Sequence, residues 1–414
     1  MKPFPRIRNA TPLYTLLQGL YWAVYCVLVS FSSVYLLDRG FSNTQIGVLV
    51  GVSSVLSALM QPLAASVAER SRRLALRQWS ALLALVMAAG AVLLLVLPGK
   101  GGQAACYMLL LVVLQILTPF TYSLGMECVN RNVPLNYGVA RSAGSIAYAG
   151  ASSLCGMLAK SRGAGALPLA VAVMTAALIP TYLAFRFRGS EASEGESAPE
   201  TEAPAGDGAP FLKKYFRLLP LLAGIVLLFI SHNILMAFPY QIVRRLGGDS
   251  PEMGIMLMVV SLVELPIMLT FSVLLRKASA RFWVMLSGVS FFLHAGVMWL
   301  APNFPVLYAA QVFEATGYAL YTVAVVNFVN DLMEAGDRVK GQAWFAMTNT
   351  IGILLGTSIG GVLLDHAGAG GLLCFATVTA GGGMVLLFAL LRYSRMIWSA
   401  PVRAQGALEV RQWH

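Results

Sequence analysis

Six ionisable side chains lie inside long apolar stretches: Glu127, Arg141, His232, Glu264, His294 and Glu314. An arginine at the centre of a membrane helix costs about 2.5–3.5 kcal/mol. It is kept mainly where the guanidinium lines a wet cavity or meets an acid. The 19 residues after Arg141 contain no acid and one further base, Lys160, and the nearest acid is Glu127. Gly144 and Tyr148 follow Arg141 by three and seven positions, which places all three on one helical face. That face is expected to look into a substrate cavity. A carboxyl withdrawn from water favours its neutral, proton-carrying form, and an imidazole beside it can tune that exchange. Glu314 and His294 fit such a proton site. Gln311, one turn before Glu314, can bond the protonated acid or a solute, and Glu264 offers acceptors to hydroxyls or amines. Pro266 and Pro239 each remove a backbone hydrogen bond near Glu264 and His232, leaving carbonyls free to face a cavity. Cys26, Cys106, Cys128, Cys155 and Cys374 have neither metal-ligand nor disulfide spacing. No metal, cofactor or nucleophile–base pair is expected. No nucleotide-binding loop is present, so ion coupling is the remaining energy source for any uphill work.

The elements that carry these residues are set by composition. The chain is 58% hydrophobic and only 11% charged, where soluble domains carry about 25% charged residues. Its mean hydropathy is +0.73. It reads as an all-α integral membrane protein, with twelve apolar segments near the ~20 residues that a bilayer helix needs. They fall at 12–36, 44–68, 77–98, 103–128, 138–159, 165–186, 218–243, 253–275, 282–301, 304–330, 340–364 and 369–391. The start, Lys2 to Arg8, leads into the first span with no small-residue cleavage site, so no cleavable signal is expected. Of 29 Lys and Arg, Arg39, Lys100, Lys160, Arg162, Arg244 and Arg245 fall on one side and Arg141 inside; the rest share the side of the N-terminus. The positive-inside rule makes that side cytoplasmic. The net charge of +11 is therefore topological, and nucleic acid is not an expected partner.

Residues 189–210 contain six acids, no base and little that is apolar, and read as a disordered linker. The expected organisation is a six-helix bundle over 1–188, an acidic cytoplasmic linker at 189–211, a second bundle over 212–398 and a cytoplasmic tail at 399–414. The halves repeat. Arg39-Gly-Phe-Ser-Asn-Thr-Gln-Ile-Gly matches Leu246-Gly-Gly-Asp-Ser-Pro-Glu-Met-Gly at a constant offset of 207. A parallel six-helix repeat with a central linker resembles the major facilitator transporters. The loop after the second span, Ala65-Ser-Val-Ala-Glu69-Arg70-Ser-Arg72-Arg73, resembles their loop motif with both glycines replaced. The resemblance implies a gating role for Glu69 and Arg70.

The intramembrane residues resemble a narrower group, the lactose permease-like oligosaccharide:proton symporters. Gln61-Pro62-Leu63 matches a segment of that family, and Gly138-Val-Ala-Arg141-Ser-Ala-Gly144 resembles its fifth-span motif. The resemblance implies that Arg141 and Glu127 bind solute hydroxyls and that Tyr148 stacks on a ring. It implies a substrate role for Glu264, and makes Glu314 in Gln311-Val-Phe-Glu314 the proton carrier, assisted by His294. Asn233, Met236, Tyr308 and Leu354 stand where the family has paired acids and lysines, so a simpler coupling network is implied. Asn233 and Gln311 join the candidate substrate ligands.

Each residue also has a plainer reading. Arg141 can snorkel to the membrane rim. Glu264 and Glu314 can be hydrogen-bonding glue between helices, His232 and His294 core histidines, and Tyr148 packing. Trp22 and Trp398 read as interface anchors. The expected function is a proton-coupled secondary transporter that imports a small hydroxylated solute, a sugar or glycoside, by alternating access of two bundles. Competing readings are uptake of an aromatic or organic acid held by Arg141, drug export by proton antiport, and a transporter-derived sensor without flux. The expected setting is the bacterial cytoplasmic (inner) membrane, with both termini cytoplasmic. The chain is expected to act as a monomer whose partners are substrate, protons and lipid.

Overall fold

A computed structural model describes residues 9–71, 74–186 and 214–397. The acidic linker at 189–211, the tail at 399–414, Trp398 and the pair Arg72 and Arg73 lie outside the described residues. Ten helical segments are long and apolar enough to cross a membrane. One of them, 338–391, turns at Gly368 (φ 65°) and is two helices. Tyr137–Arg162 is long enough but more polar, because it carries Arg141 and several serines. With it the described residues contain the twelve membrane-length helices expected, within a few residues of the expected ends.

In chain order they are α1 (11–38), α2 (Asn43–Arg70), α3 (Leu76–Val96), α4 (Lys100–Asn130), α5 (Tyr137–Arg162) and α6 (Leu167–Leu183). The second set is α7 (219–245), α8 (Ser250–Lys277), α9 (Ala280–Leu300), α10 (304–332), α11 (338–367) and α12 (369–397). α1 widens into a π turn at Cys26–Ser30, and α10 does so at Ala315–Ala319. α7 breaks at Phe238, just before Pro239, whereas α8 runs through Pro266. Each set of six packs into its own bundle, and the bundles meet where α2 crosses α11 and α5 crosses α8.

The 207-residue repeat has a physical content at that crossing. Gly40 and Gly247 both turn the chain with positive φ, 77° and 82°, which glycine adopts without a steric penalty. Ser42 and Gln45 then form a reciprocal capping box at the start of α2. At the matching place the Asp249 N–H donates to Glu252 Oε2 (2.9 Å). Two residues further on are Gly47 and Gly254. A Cβ on Gly47 would collide with the Thr357 carbonyl of α11, and one on Gly254 with the Ser152 carbonyl of α5. The helices touch backbone to backbone there because neither glycine has a side chain.

Polar bonds close the same end. Asp365 of α11 accepts from the backbone N–H of Asn43 (3.2 Å) and Thr44 (2.8 Å), and from their side chains (2.8 and 2.6 Å). Gln241 Nε2 donates to Asn43 Oδ1 (2.8 Å). On the other flank Lys160 pairs with Asp249, and Ser250 Oγ donates to Gly156 O (2.9 Å). The Lys160 ammonium holds the Asp249 carboxyl below the usual carboxylate range. A vestibule of about 950 Å³ lies above this seal, lined by Asp38, Asn43, Lys160, Tyr240 and Arg244. Toward the opposite end the contact is lost: no described side chain of 58–70 or 262–277 is buried. The molecule is thus sealed at one end of the bundle interface and parted at the other.

A valine at Gly254 is expected to hold the seal open, because its Cβ displaces backbone rather than a flexible side chain. The test is labelling of a cysteine introduced at Ser261, which donates from α8 to Ser145 O of α5 (2.8 Å). Labelling should rise several-fold in Gly254→Val; an unchanged rate would mean the crossing does not control access.

Candidate functional site

On the first bundle the site is built between α1 and α5. Gly144 leaves room for the Trp22 ring against α5, where any Cβ would clash. The Arg141 guanidinium lies 4.5 Å from the centre of that ring, a cation–π contact. Its remaining described contacts are a long hydrogen bond to Ser145 Oγ (3.4 Å) and the neighbouring Tyr122 hydroxyl. Tyr25 packs against Trp22, with ring centres 5.1 Å apart. About two helical turns beyond Arg141, Tyr148 shares a 2.6 Å hydrogen bond with Ser30, in the π turn of α1. Arg141, Gly144 and Tyr148 therefore do share a face, and that face is turned to α1.

Glu127, expected to bind a solute together with Arg141, has its ion-pair partner closer by. Glu127 is held by Arg131, four residues on along α4 (2.9 Å). Among the described residues no acid stands within ion-pair distance of Arg141. A helical (i, i+4) pair forms without any tertiary adjustment, so Arg131 takes the carboxylate that a more distant arginine would need. Trp22 also departs from its reading as an interface anchor, because it sits midway along α1 and carries the guanidinium.

On the second bundle Glu314 is buried to 1% exposure. His232 Nδ1 of α7 lies 3.2 Å from its Oε1, and His294 Nδ1 of α9 lies 3.1 Å from its Oε2. The ring nitrogens are not aligned as full hydrogen bonds to those oxygens, so these are close contacts short of a hydrogen bond. The His232 ring stacks on Tyr318, 4.5 Å between centres, with Phe229 and Phe291 edge-on to it. The π turn of α10 begins immediately after Glu314. Single π turns of this kind recur at functional sites. His232, which also reads as a core histidine in the sequence, is the second imidazole neighbour of the acid. Its legible signal was an imidazole in mid-span, a rare residue to find there.

Two expected substrate ligands are placed elsewhere. Gln311 is fully buried, bonded to His294 Nε2 (3.1 Å) and to Leu307 O (2.8 Å), so it stands behind the histidine rather than in a cavity. The Asn233 amide donates to Phe229 O (2.8 Å) and Asn349 Oδ1 (3.1 Å), and so ties α7 to α11. Both are neutral amides in a helix interface, where leaving a donor unbonded is costly. Glu264 of α8 is half-buried, has no hydrogen bond to a described residue, and lies within electrostatic reach of both Arg141 and Glu314. Glu69 and Arg70 are exposed at the parted end of α2, with no ion pair among the described residues.

A model of the "MFS_1 like family" matches residues 14–375. The "Probable 3-phenylpropionic acid transporter" of Escherichia coli (strain K12) is 24% identical over 360 residues, covering 84% of this chain and 90% of that one. A Deinococcus radiodurans protein whose name proposes sugar efflux transport is 27% identical over 158 residues, 37% of this chain and 40% of that one. The crystal structure of the nucleoside transporter NupG superposes with a TM-score of 0.76 at 16% identity, covering 93% of this chain and 98% of that chain. At that identity the likeness is one of fold.

Proposed function

The chain belongs to the MFS_1 like family of major facilitator transporters, and from that premise we propose that it couples proton movement to uptake of a small aromatic carboxylate. The observation that carries this reading is Arg141, stacked on Trp22 beside Tyr122, with no described acid within ion-pair distance of it. A carboxylate can accept two parallel hydrogen bonds from a guanidinium, and an attached ring would pack on the surrounding aromatic side chains. The long coverage of the phenylpropionic acid transporter supports the same choice. The sugar reading calls for Glu127 and Arg141 to act on the same hydroxyls, whereas Glu127 is paired with Arg131 along α4.

The proton site is the second cluster. Glu314 takes a proton where two imidazoles crowd it, and Glu264 relays its electrostatic state to the substrate side. The end bearing Arg39, Lys160 and Arg244 is the outer end by the positive-inside rule, so the parted end opens to the cytoplasm. This is then the inward-facing state. Alternation transfers the opening to the other end, with α2 and α8 rocking on their glycine contacts with α11 and α5.

With one proton per monoanion the moving complex carries no net charge. Uptake should then follow the pH gradient and respond little to membrane potential, which acts at about 2.3 kcal/mol per charge per 100 mV. The test is uptake of labelled 3-phenylpropionate into proteoliposomes, with the pH gradient and the potential imposed separately. Accumulation driven by the pH gradient supports the reading. Accumulation of lactose or another neutral sugar but not of phenylpropionate would overturn it.

A further inference from the structure

We propose that Gln311 is a positioning residue that fixes the tautomer of His294, so that the Glu314–His294 contact closes only around a shared proton. This rests on the proton-coupled reading of the same cluster. The argument begins with the amide. Gln311 Nε2 donates to Leu307 O at 2.8 Å, which settles which end of the amide is nitrogen. Its Oε1 is therefore the atom 3.1 Å from His294 Nε2. A carbonyl oxygen only accepts, so His294 Nε2 carries the hydrogen. A neutral imidazole has one N–H, and Nδ1 is then a bare lone pair.

In this structure that nitrogen lies 3.1 Å from Glu314 Oε2 without the alignment of a full hydrogen bond. An ionised carboxylate offers only acceptors. Two acceptors at that distance in a dry helix interface repel, and each lacks a bond. One proton between them removes the conflict. It can sit on Oε2 with a neutral histidine, or on Nδ1 with an ionised acid, and it passes between these atoms without changing the charge of the pair. When it leaves, α9 and α10 lose the reason for this contact and the carboxylate must turn away. Proton release is thereby tied to a movement at the first turn of the π segment.

His232 differs. Its Nδ1 lies 3.2 Å from Oε1, but no described bond fixes its second nitrogen, and its ring is held by stacking on Tyr318. As a neutral ring it can present Nδ1–H to the ionised acid. Among the described residues, Glu264 of α8 and Tyr318 on its own helix also interact electrostatically with Glu314. Neither sets the His294 tautomer. Gln311 alone makes one of the two imidazoles an acceptor.

The test has two arms on the full-length protein. In the first, the ¹⁵N shifts of histidine-labelled wild type, assigned with His294→Asn, report the ring tautomer. A hydrogen on Nε2 whenever the His294 ring is neutral is expected, and a neutral ring with its hydrogen on Nδ1 overturns the proposal. In the second, Gln311→Leu frees the ring to place its hydrogen on Nδ1 and to donate to ionised Glu314. Half-maximal phenylpropionate uptake should then move to lower pH by about one unit, a tenfold change in proton activity, while solute exchange at equal pH continues. An unchanged pH profile in an exchanging Gln311→Leu protein overturns the proposal. If wild-type uptake ignores the pH gradient, the proton-coupled reading fails, whereas the tautomer arm still judges the Gln311 assignment.

Discussion

Glu314→Gln is expected to abolish accumulation against a gradient while leaving solute exchange in place. Glutamine has the shape of the acid and cannot take up or release a proton. Its amide can donate to the His294 Nδ1 lone pair, so the packing of α7, α9 and α10 around a fully buried position should survive. Each unit of pH gradient supports about tenfold accumulation per proton, equivalent to 1.36 kcal/mol. In the variant that ratio should fall to one at every gradient. Exchange of labelled for unlabelled solute needs no net proton movement and should persist within about threefold, since the barrier no longer includes a deprotonation. Both quantities are measured in the same proteoliposomes. Wild-type accumulation in the variant would remove Glu314 from the coupling step.

Arg141→Gln should weaken binding of an aromatic carboxylate by roughly tenfold to a hundredfold, the range for losing a charge-assisted hydrogen bond of about 1.5–3 kcal/mol. The reason is local. Arg141 has the Trp22 ring on one side and no described acid within ion-pair distance, with Glu264 only at longer electrostatic range, so a bound anion would be its principal contact counter-charge. Arg141→Lys keeps the charge but loses the planar fork and its stacking, and should fall between the two. Binding of the uncharged 3-phenylpropanol should be unaffected by either change. Titration calorimetry on purified protein separates these outcomes. If acid and alcohol lose affinity together, the arginine supports the fold rather than the ligand.

These two residues also show how unevenly the site could be read in advance. Glu314 and Arg141 stand out because ionisable groups in a lipid-spanning helix are costly and need a reason to be there. Their partners were less accessible. His232 lies 82 positions before Glu314, and the two meet only because α7 and α10 pack in the same bundle. Glu127, expected to act beside Arg141, pairs with Arg131, which stands four residues away at helical spacing. Gln311 was correctly placed one turn from Glu314, yet its amide is directed at His294 rather than at a cavity. The direction a helix face takes depends on rotation about its axis, and apolarity on all sides leaves that rotation unmarked.

The twelve helices and the two-fold repeat follow from the sequence by itself, because lipid forces each crossing segment to be apolar and to satisfy its own backbone. The recurrence of Gly40 and Gly47 as Gly247 and Gly254 was likewise visible, since turns and close helix crossings demand glycine wherever they occur. Tertiary structure alone decided that α2 meets α11 and α5 meets α8 at one end. It also decided that Asp365 caps α2 from the other bundle, and that two imidazoles from different helices close on one carboxyl. Those are contacts between segments far apart in the chain, set by how bundles pack and rotate, and no local pattern of residues encodes them.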